Sequence, residues 1–222
     1  FQRHAHIIAK DVRDYLEKIQ AMFIVAYEEL DSPEGRDVCY ACLEEPFFRS
    51  LWKHLLAVFR LGNKEKEELI AVTMTKHSSC IPRDLRVPEP LWLEAVIPTS
   101  YSYPYEMAVN ELKRLPEMYC PLSKLECIVN VSKLICYCVE KHYKESWGNQ
   151  KQAPAIGADD LLPILTYVVI KSGIPQIISE CHAMEEFIHE GYLMGEEGYC
   201  LTTLQTCLGF VIKMADLKND EE

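Results

Sequence analysis

Basic side chains are in short supply in this sequence. Across 222 residues, 23 Lys and Arg stand against 34 Asp and Glu, a formal net charge of −11. That balance argues against nucleic acid as the main ligand, because a phosphate backbone is held by a basic face. It argues equally against broad binding to anionic lipid. Long apolar runs are missing as well. The longest, Leu161 to Ile170, is broken by Thr166, a length that suits a buried helix rather than a membrane span. No basic segment leads into an apolar core at Phe1-Gln2-Arg3-His4, so the start does not read as a signal peptide. It also lacks an initiator Met, so the chain is expected to be a piece of something longer.

Chemical signatures are equally sparse. No phosphate-cradling glycine loop is present: Gly191 to Gly198 carries Glu196 and Glu197, which repel phosphate. Neither a G-x-S-x-G elbow nor an H-E-x-x-H helix occurs, so metabolic enzyme chemistry has little support. Cys39 and Cys42 form a CxxC without a second ligand pair, and no histidine is spaced to complete a metal site. The 10 cysteines, among them Cys127, Cys136, Cys138 and Cys207 in apolar periodic segments, read as buried thiols in a reducing, cytosolic compartment. No cofactor and no metal are expected.

What is present is helical periodicity nearly throughout, and no alternating run of β-branched residues that would signal strands. Apolar residues recur at threes and fours from Ile7 to Leu30, through Ile8, Val12, Tyr15, Leu16, Ile19, Phe23 and Tyr27. Asp31 to Gly35 reads as a turn. A second helical region spans 38–61, with Pro46 opening a new helix inside it and Gly62-Asn63 stopping it. Asn63 is then expected to cap a helix over 64–77. Residues 79 to 104 hold Pro82, Pro88, Pro90, Pro98 and Pro104 and read as loop, with a short helix near 91–96. Further helices are expected over 105–115, from a capping box at Ser123-Lys124-Leu125-Glu126 to about Tyr143, and over 159–172, 175–189 and 199–217, with Pro175 as a first helical residue. The class is all-α, a layered bundle of eight to nine helices.

Two local features carry candidate chemistry. Gly157-Ala158-Asp159-Asp160 precedes the most apolar helix. One aspartate is enough to cap that helix, and the second is surplus and free to point outward. The plain alternative is a doubly acidic N-terminus favoured by the helix dipole, with Pro163 in the first turn, where its missing N–H costs little. Tyr199 and Thr202, three apart, share a face at the start of the last helix. There the alternative is Tyr199 packed as core, with Thr202 or Thr203 near the cap.

Three blocks give these features a common context: KLECIVNVSKLI from Lys124, GADDLLPILTYVVIKSG from Gly157 and GEEGYCLTTLQTCLGFV from Gly195. In order and spacing they resemble the vacuolar-protein-sorting-nine (Vps-nine) domain. The resemblance implies a layered all-helical fold and a guanine nucleotide exchange factor for Rab GTPases of the Rab-five subfamily, a catalytic regulator that makes no covalent bond. It implies that Asp159 is the catalytic acidic finger, that Pro163 is the proline beside it, and that Tyr199 and Thr202 contact the GTPase switch regions. Asp160 falls in the same GTPase-binding set, as the cap or a supporting acid. The family often has Ser where Gly157 stands and an aromatic where Ala183 stands; these departures bear on loop stiffness and on packing. The expected organisation is an N-terminal helix over 1–35, an exchange domain over 36–218 with its core match over 123–217, and an acidic tail over 219–222. The partner implied is a small GTPase, in its GDP-bound and nucleotide-free forms. The implied setting is endocytosis and vesicle transport, in the cytoplasm, with recruitment to early endosomes through segments outside this chain. The alternative function is a non-catalytic Rab-binding or helical adaptor module.

Overall fold

The longest helix runs straight through two expected breaks, Pro46 and Gly62-Asn63. The computed structural model describes residues 2–93, 103–148 and 150–216. Within it α2 extends unbroken over Pro33–Lys76, 44 residues, about 66 Å at 1.5 Å per residue. Ser32 caps it, its Oγ accepting the Gly35 N–H at 3.0 Å. The segment read as a turn is therefore the start of the helix. Pro46 lies in the interior of α2 rather than opening a new helix. Pro46 and Cys42 are both exposed, so the carbonyl that loses its partner to Pro46 faces solvent, where water satisfies it.

Gly62 and Asn63 are also interior to α2, for a reason that lies far away in the chain. Asn63 is buried and its side-chain amide reaches Ser179 Oγ at 3.5 Å. One turn on, Glu67 Oε1 accepts the Ser179 backbone N–H at 2.7 Å. Ser179 sits in the first turn of α6 (Ile177–Phe187), whose own N-cap residue, Gln176, makes no side-chain capping bond. α2 thus caps α6 from outside, and a broken α2 would leave that N–H unsatisfied. Pro175 falls before α6 rather than at its first position.

The beginning of α4 (Pro121–Trp147) is served in a similar way. Its N-cap, Cys120, has no side-chain capping bond, and the buried Glu44 of α2 interacts with the backbone at Leu122. The expected capping box at Ser123 does not form, because α4 starts at Pro121 and places Lys124 inside the protein. Burial pushes the Glu44 carboxyl up to about 7; the Leu122 backbone draws it back and Glu126 pushes it further up. A carboxyl raised in this way holds its proton more tightly when folded. Its contribution to stability is complete below the ordinary value of 4.5 and is lost as pH rises through about 7. Glu44→Gln is therefore expected to gain stability relative to the parent between about pH 5 and about pH 8 in chemical denaturation. A difference that stays constant across that range would show that Glu44 does not titrate there.

The remaining helices are α1 (Gln2–Ala26), α3 (Glu106–Leu112), α5 (Ala158–Ser172) and α7 (Glu196–Asp216). The described residues hold seven α-helices, short 3-10 turns and no strand. The count falls below eight to nine mainly because two expected helices are fused in α2. Part of the expected 91–96 helix and all of the acidic tail lie outside the described residues. Among the described residues no single helix is long and apolar enough to cross a membrane. The apolar run of α5 is core: Ile164, Leu165 and Tyr167 to Ile170 are all buried.

Two apolar clusters organise the packing. The larger joins the end of α2 to α3, α4, α5, α6 and α7. The smaller joins α1 and the first half of α2 to α6. In the latter Phe187 takes Phe48, Trp52 and Phe59 edge-on, at 5.5, 6.0 and 5.9 Å between centroids. Ala5, Ala9 and Ala183 are all buried there. The small side chain at 183 leaves room for α1 to approach α6.

Between the clusters lies an ion pair with no contact to water. Lys124 is 0% exposed and Glu180 1%. Lys124 Nζ is 2.8 Å from Glu180 Oε2, donates to the Leu115 carbonyl at 2.6 Å and sits 5.2 Å from the Trp52 ring centroid. Arg60 approaches Glu180 at 4.0 Å from the rim. Burial pushes the ammonium down and the carboxyl up, and each charge offsets part of that for the other.

Candidate functional site

The two aspartates at the head of α5 do different things. Gly157 is the N-cap, in an extended conformation, and its N–H donates to Asp160 Oδ2 at 3.1 Å. Asp160 thus reaches back over the first turn in the manner of a capping-box acid. Asp159 is exposed and has no hydrogen-bond or ion-pair partner among the described residues. The surplus carboxylate is the first of the pair, and it projects from a helix N-terminus whose dipole favours negative charge. A Cβ on Gly157 would meet Asp160 Oδ2 at 3.5 Å, an ordinary van der Waals contact, so the closure by Asp160 does not depend on glycine there.

Pro163 is interior to α5, not in its first turn. A helical residue at 163 would donate to the carbonyl of residue 159, so proline leaves the Asp159 carbonyl without its intrahelical partner. The backbone that carries the free carboxylate is held by one bond fewer than the rest of the helix.

Tyr199 and Thr202 lie on α7, whose first residue is Glu196. Neither is at a cap, and Tyr199 is not core: it is 50% exposed, and Thr202 is exposed beside it. The Tyr199 and Thr202 carbonyls accept from Thr203 Oγ1 at 2.8 Å and Thr206 Oγ1 at 2.9 Å. Two further side chains extend the face. Thr206 and the half-exposed Phe210 follow Tyr199 at spacings that return to one side of the helix. Sequence reasoning missed them, although their periodicity within the third block was the available signal.

The glycine of the G-Y pair has a structural cause. Gly198 is buried, and a Cβ placed on it would lie 2.0 Å from the Leu193 carbonyl oxygen. Backbone against backbone cannot yield as a flexible side chain does. Gly198→Ala is expected to lower stability by about 1–3 kcal/mol, the usual cost of overpacking, and to displace the turn that carries Tyr199. A melting temperature equal to the parent's would contradict this.

α5 packs on α7. One fixed point between them is Cys207 Sγ, 3.4 Å from Thr166 Oγ1, whose hydroxyl in turn donates to the Leu162 carbonyl at 2.8 Å. Burial pushes the Cys207 thiol up to about 12, so it stays protonated and able to donate. Measured along each helix from that point, Asp159 is about 10 Å and Tyr199 about 12 Å away. On the two helices Leu161, Leu165, Leu204 and Leu208 are buried in the core, and Leu162 is half-buried. Exposed Glu196 of α7 is 3.5 Å from Lys133 of α4.

The thiols divide more evenly than the sequence suggested. Cys39, Cys127 and Cys207 are buried, but Cys42 and Cys136 are exposed and Cys138 is intermediate. Among the described residues no group of three His, Cys, Asp or Glu side chains is placed to hold a metal ion.

Residues 105–216 match the family described as Vacuolar sorting protein 9 (VPS9) domain. The chain is similar to VPS9 domain-containing protein 1 of Homo sapiens, 41% identical over 209 residues, covering 91% of this chain and 33% of that protein. It is similar to Vacuolar protein sorting-associated protein 9A of Arabidopsis thaliana, 27% identical over 207 residues, 90% of this chain and 36% of that protein. It is also similar to the Rab5 GDP/GTP exchange factor of Bos taurus, 28% identical over 189 residues, 82% of this chain and 34% of that protein. The chain spans about a third of the length of these relatives.

Proposed function

From its membership of the VPS9 domain family we propose that this chain is a guanine nucleotide exchange factor for Rab-five-subfamily GTPases, with Asp159 as the group that drives GDP out. The observation that carries the reading is the division of labour at the head of α5. Asp160 closes the helix, and Asp159 is left exposed and unpartnered, on a helix that packs against the one carrying the exposed Tyr199 and Thr202.

The chemistry follows from charge. A GTPase holds GDP through a phosphate-binding lysine, backbone N–H groups and Mg²⁺. A carboxylate brought into that site pairs with the lysine in place of phosphate and disfavours the metal-bound arrangement of the switches. Tyr199 and Thr202, with Thr206 and Phe210, offer the surface that holds the switch regions aside. Asp160 and Pro163 act through the backbone that carries Asp159. Reaction with nucleotide is reversible: incoming GTP displaces the carboxylate. By linkage, the factor binds the nucleotide-free GTPase better than the loaded one by the factor through which it weakens nucleotide affinity.

The test is release of fluorescent GDP from a panel of Rab GTPases. Acceleration confined to Rab-five-subfamily members supports the reading. Tight binding to nucleotide-free Rab without acceleration would replace it with the binding-module alternative, and neither binding nor acceleration would leave a helical adaptor. Tyr199→Ala is expected to weaken capture of nucleotide-free Rab by about 10-fold or more, as loss of an interface tyrosine does. Unchanged affinity would remove Tyr199 from the contact. On this reading the exchange unit is residues 36–218, acting in the cytoplasm at early endosomes to which segments outside this chain would recruit it.

A further inference from the structure

The packing of α1 leaves a second apolar line on its surface. Ala5, Ala9 and Leu16 face the body and are buried, with Val12 packed against them. Roughly a quarter turn away, at 3.6 residues per turn, stand Ile8, Tyr15 and Met22, which are 37%, 62% and 73% exposed. They recur every seven residues, nearly two full turns, and so form one straight line along the helix. Lys18 leans onto the same line, its Nζ 5.1 Å from the Tyr15 ring centroid.

That line is symmetric about Tyr15, and so are its flanks. Ile8 lies seven residues before Tyr15 and Met22 seven after. If a second α1 runs antiparallel about a two-fold axis at Tyr15, Tyr15 meets the partner's Tyr15 and Ile8 meets the partner's Met22, both ways round. On one flank the same operation sets Asp11 beside the partner's Lys18, twice. On the other it sets the half-buried Val12 and Ile19 beside the partner's Ile19 and Val12. A parallel pair does the opposite: it places Asp11 and Lys18 against the partner's Val12 and Ile19.

We infer that α1 is a self-association helix, pairing antiparallel with α1 of a second copy through Ile8, Tyr15 and Met22, with Asp11–Lys18 pairs setting the direction. Such an isologous contact is closed by its own symmetry. A single pair of helices makes a small interface, so the dimer is weak and concentration-dependent.

Sedimentation of the chain from low to high micromolar concentration is expected to show a monomer–dimer equilibrium. Asp11→Lys and Lys18→Asp should each raise the dimer dissociation constant by roughly 2- to 30-fold, and the double reversal should restore it. Direction is read by cross-linking in a background with the exposed Cys42 and Cys136 replaced by serine. Tyr15→Cys should cross-link to itself. Ile8→Cys should not, yet an equal mixture of Ile8→Cys and Met22→Cys should give the mixed dimer. All these side chains are exposed, so thermal melts of the variants should match the parent. Monomer at every concentration, or self-cross-linking of Ile8→Cys, overturns the inference.

Discussion

Asp159→Ala should reduce the chain's acceleration of GDP release by roughly 10- to 150-fold, the equivalent of one charge-assisted hydrogen bond of about 1.5–3 kcal/mol. It should do so with almost no loss of stability. The bond that closes α5 belongs to Asp160, which accepts the Gly157 N–H at 3.1 Å, so removal of Asp159 forfeits only its interaction with the helix dipole, about 0.3–1 kcal/mol. Asp160→Ala should show the reverse balance, a loss of about 0.5–2 kcal/mol from the missing cap. Asp159→Asn separates charge from shape: if the carboxylate stands in for phosphate, asparagine is nearly as inactive as alanine. The measurement pairs fluorescent GDP release with thermal melting for all three variants. Equal exchange by Asp159→Ala and the parent would remove the finger role. A variant that unfolds would show that Asp159, not Asp160, is the structural acid.

Lys124→Met is expected to be the most damaging of the changes considered for stability. It leaves Glu180, 1% exposed, as a buried carboxylate with Arg60 at 4.0 Å and the Trp52 side chain beside it. Breaking a buried pair from one side costs about 3–5 kcal/mol, a large part of the 5–15 kcal/mol by which a typical domain is stable. The penalty belongs to the stranded charge rather than to the lost attraction. Lys124→Met combined with Glu180→Leu is therefore expected to recover most of it, since an apolar replacement of both partners is often neutral. Urea denaturation of the parent, the single and the double variants tests this. A single variant that loses less than about 1 kcal/mol would mean that the residual Arg60 contact suffices for Glu180.

These two cases divide in their legibility. The acidic pair, its helix and the G-Y-x-x-T face were readable because their geometry is local: a cap and a three-residue spacing are decided within one or two turns of backbone. The assignment of the cap to Asp160 and of exposure to Asp159 followed from Gly157 being the N-cap, a single residue of register. The role of Lys124 was illegible for the opposite reason. In sequence it lies inside the expected capping box Ser123-Lys124-Leu125-Glu126, and its partner stands 56 residues away at Glu180 on another helix.

By itself the sequence determined the all-helical class, the acidic character, the order of the three blocks and the identity of the side chains at the candidate site. Helical periodicity and capping are short-range, and they survive in any tertiary context that does not oppose them. Only the tertiary structure decided that α2 passes through Pro46 and Gly62-Asn63 as one helix. Its acids at 44 and 67 serve the N-termini of α4 and α6, and an unsatisfied backbone N–H in the interior outweighs a local preference to stop. It alone decided, too, which thiols are buried, why position 198 must be glycine, and which face of α1 was left uncovered. Each of these depends on what another part of the chain places opposite, and no window of neighbouring residues contains that information.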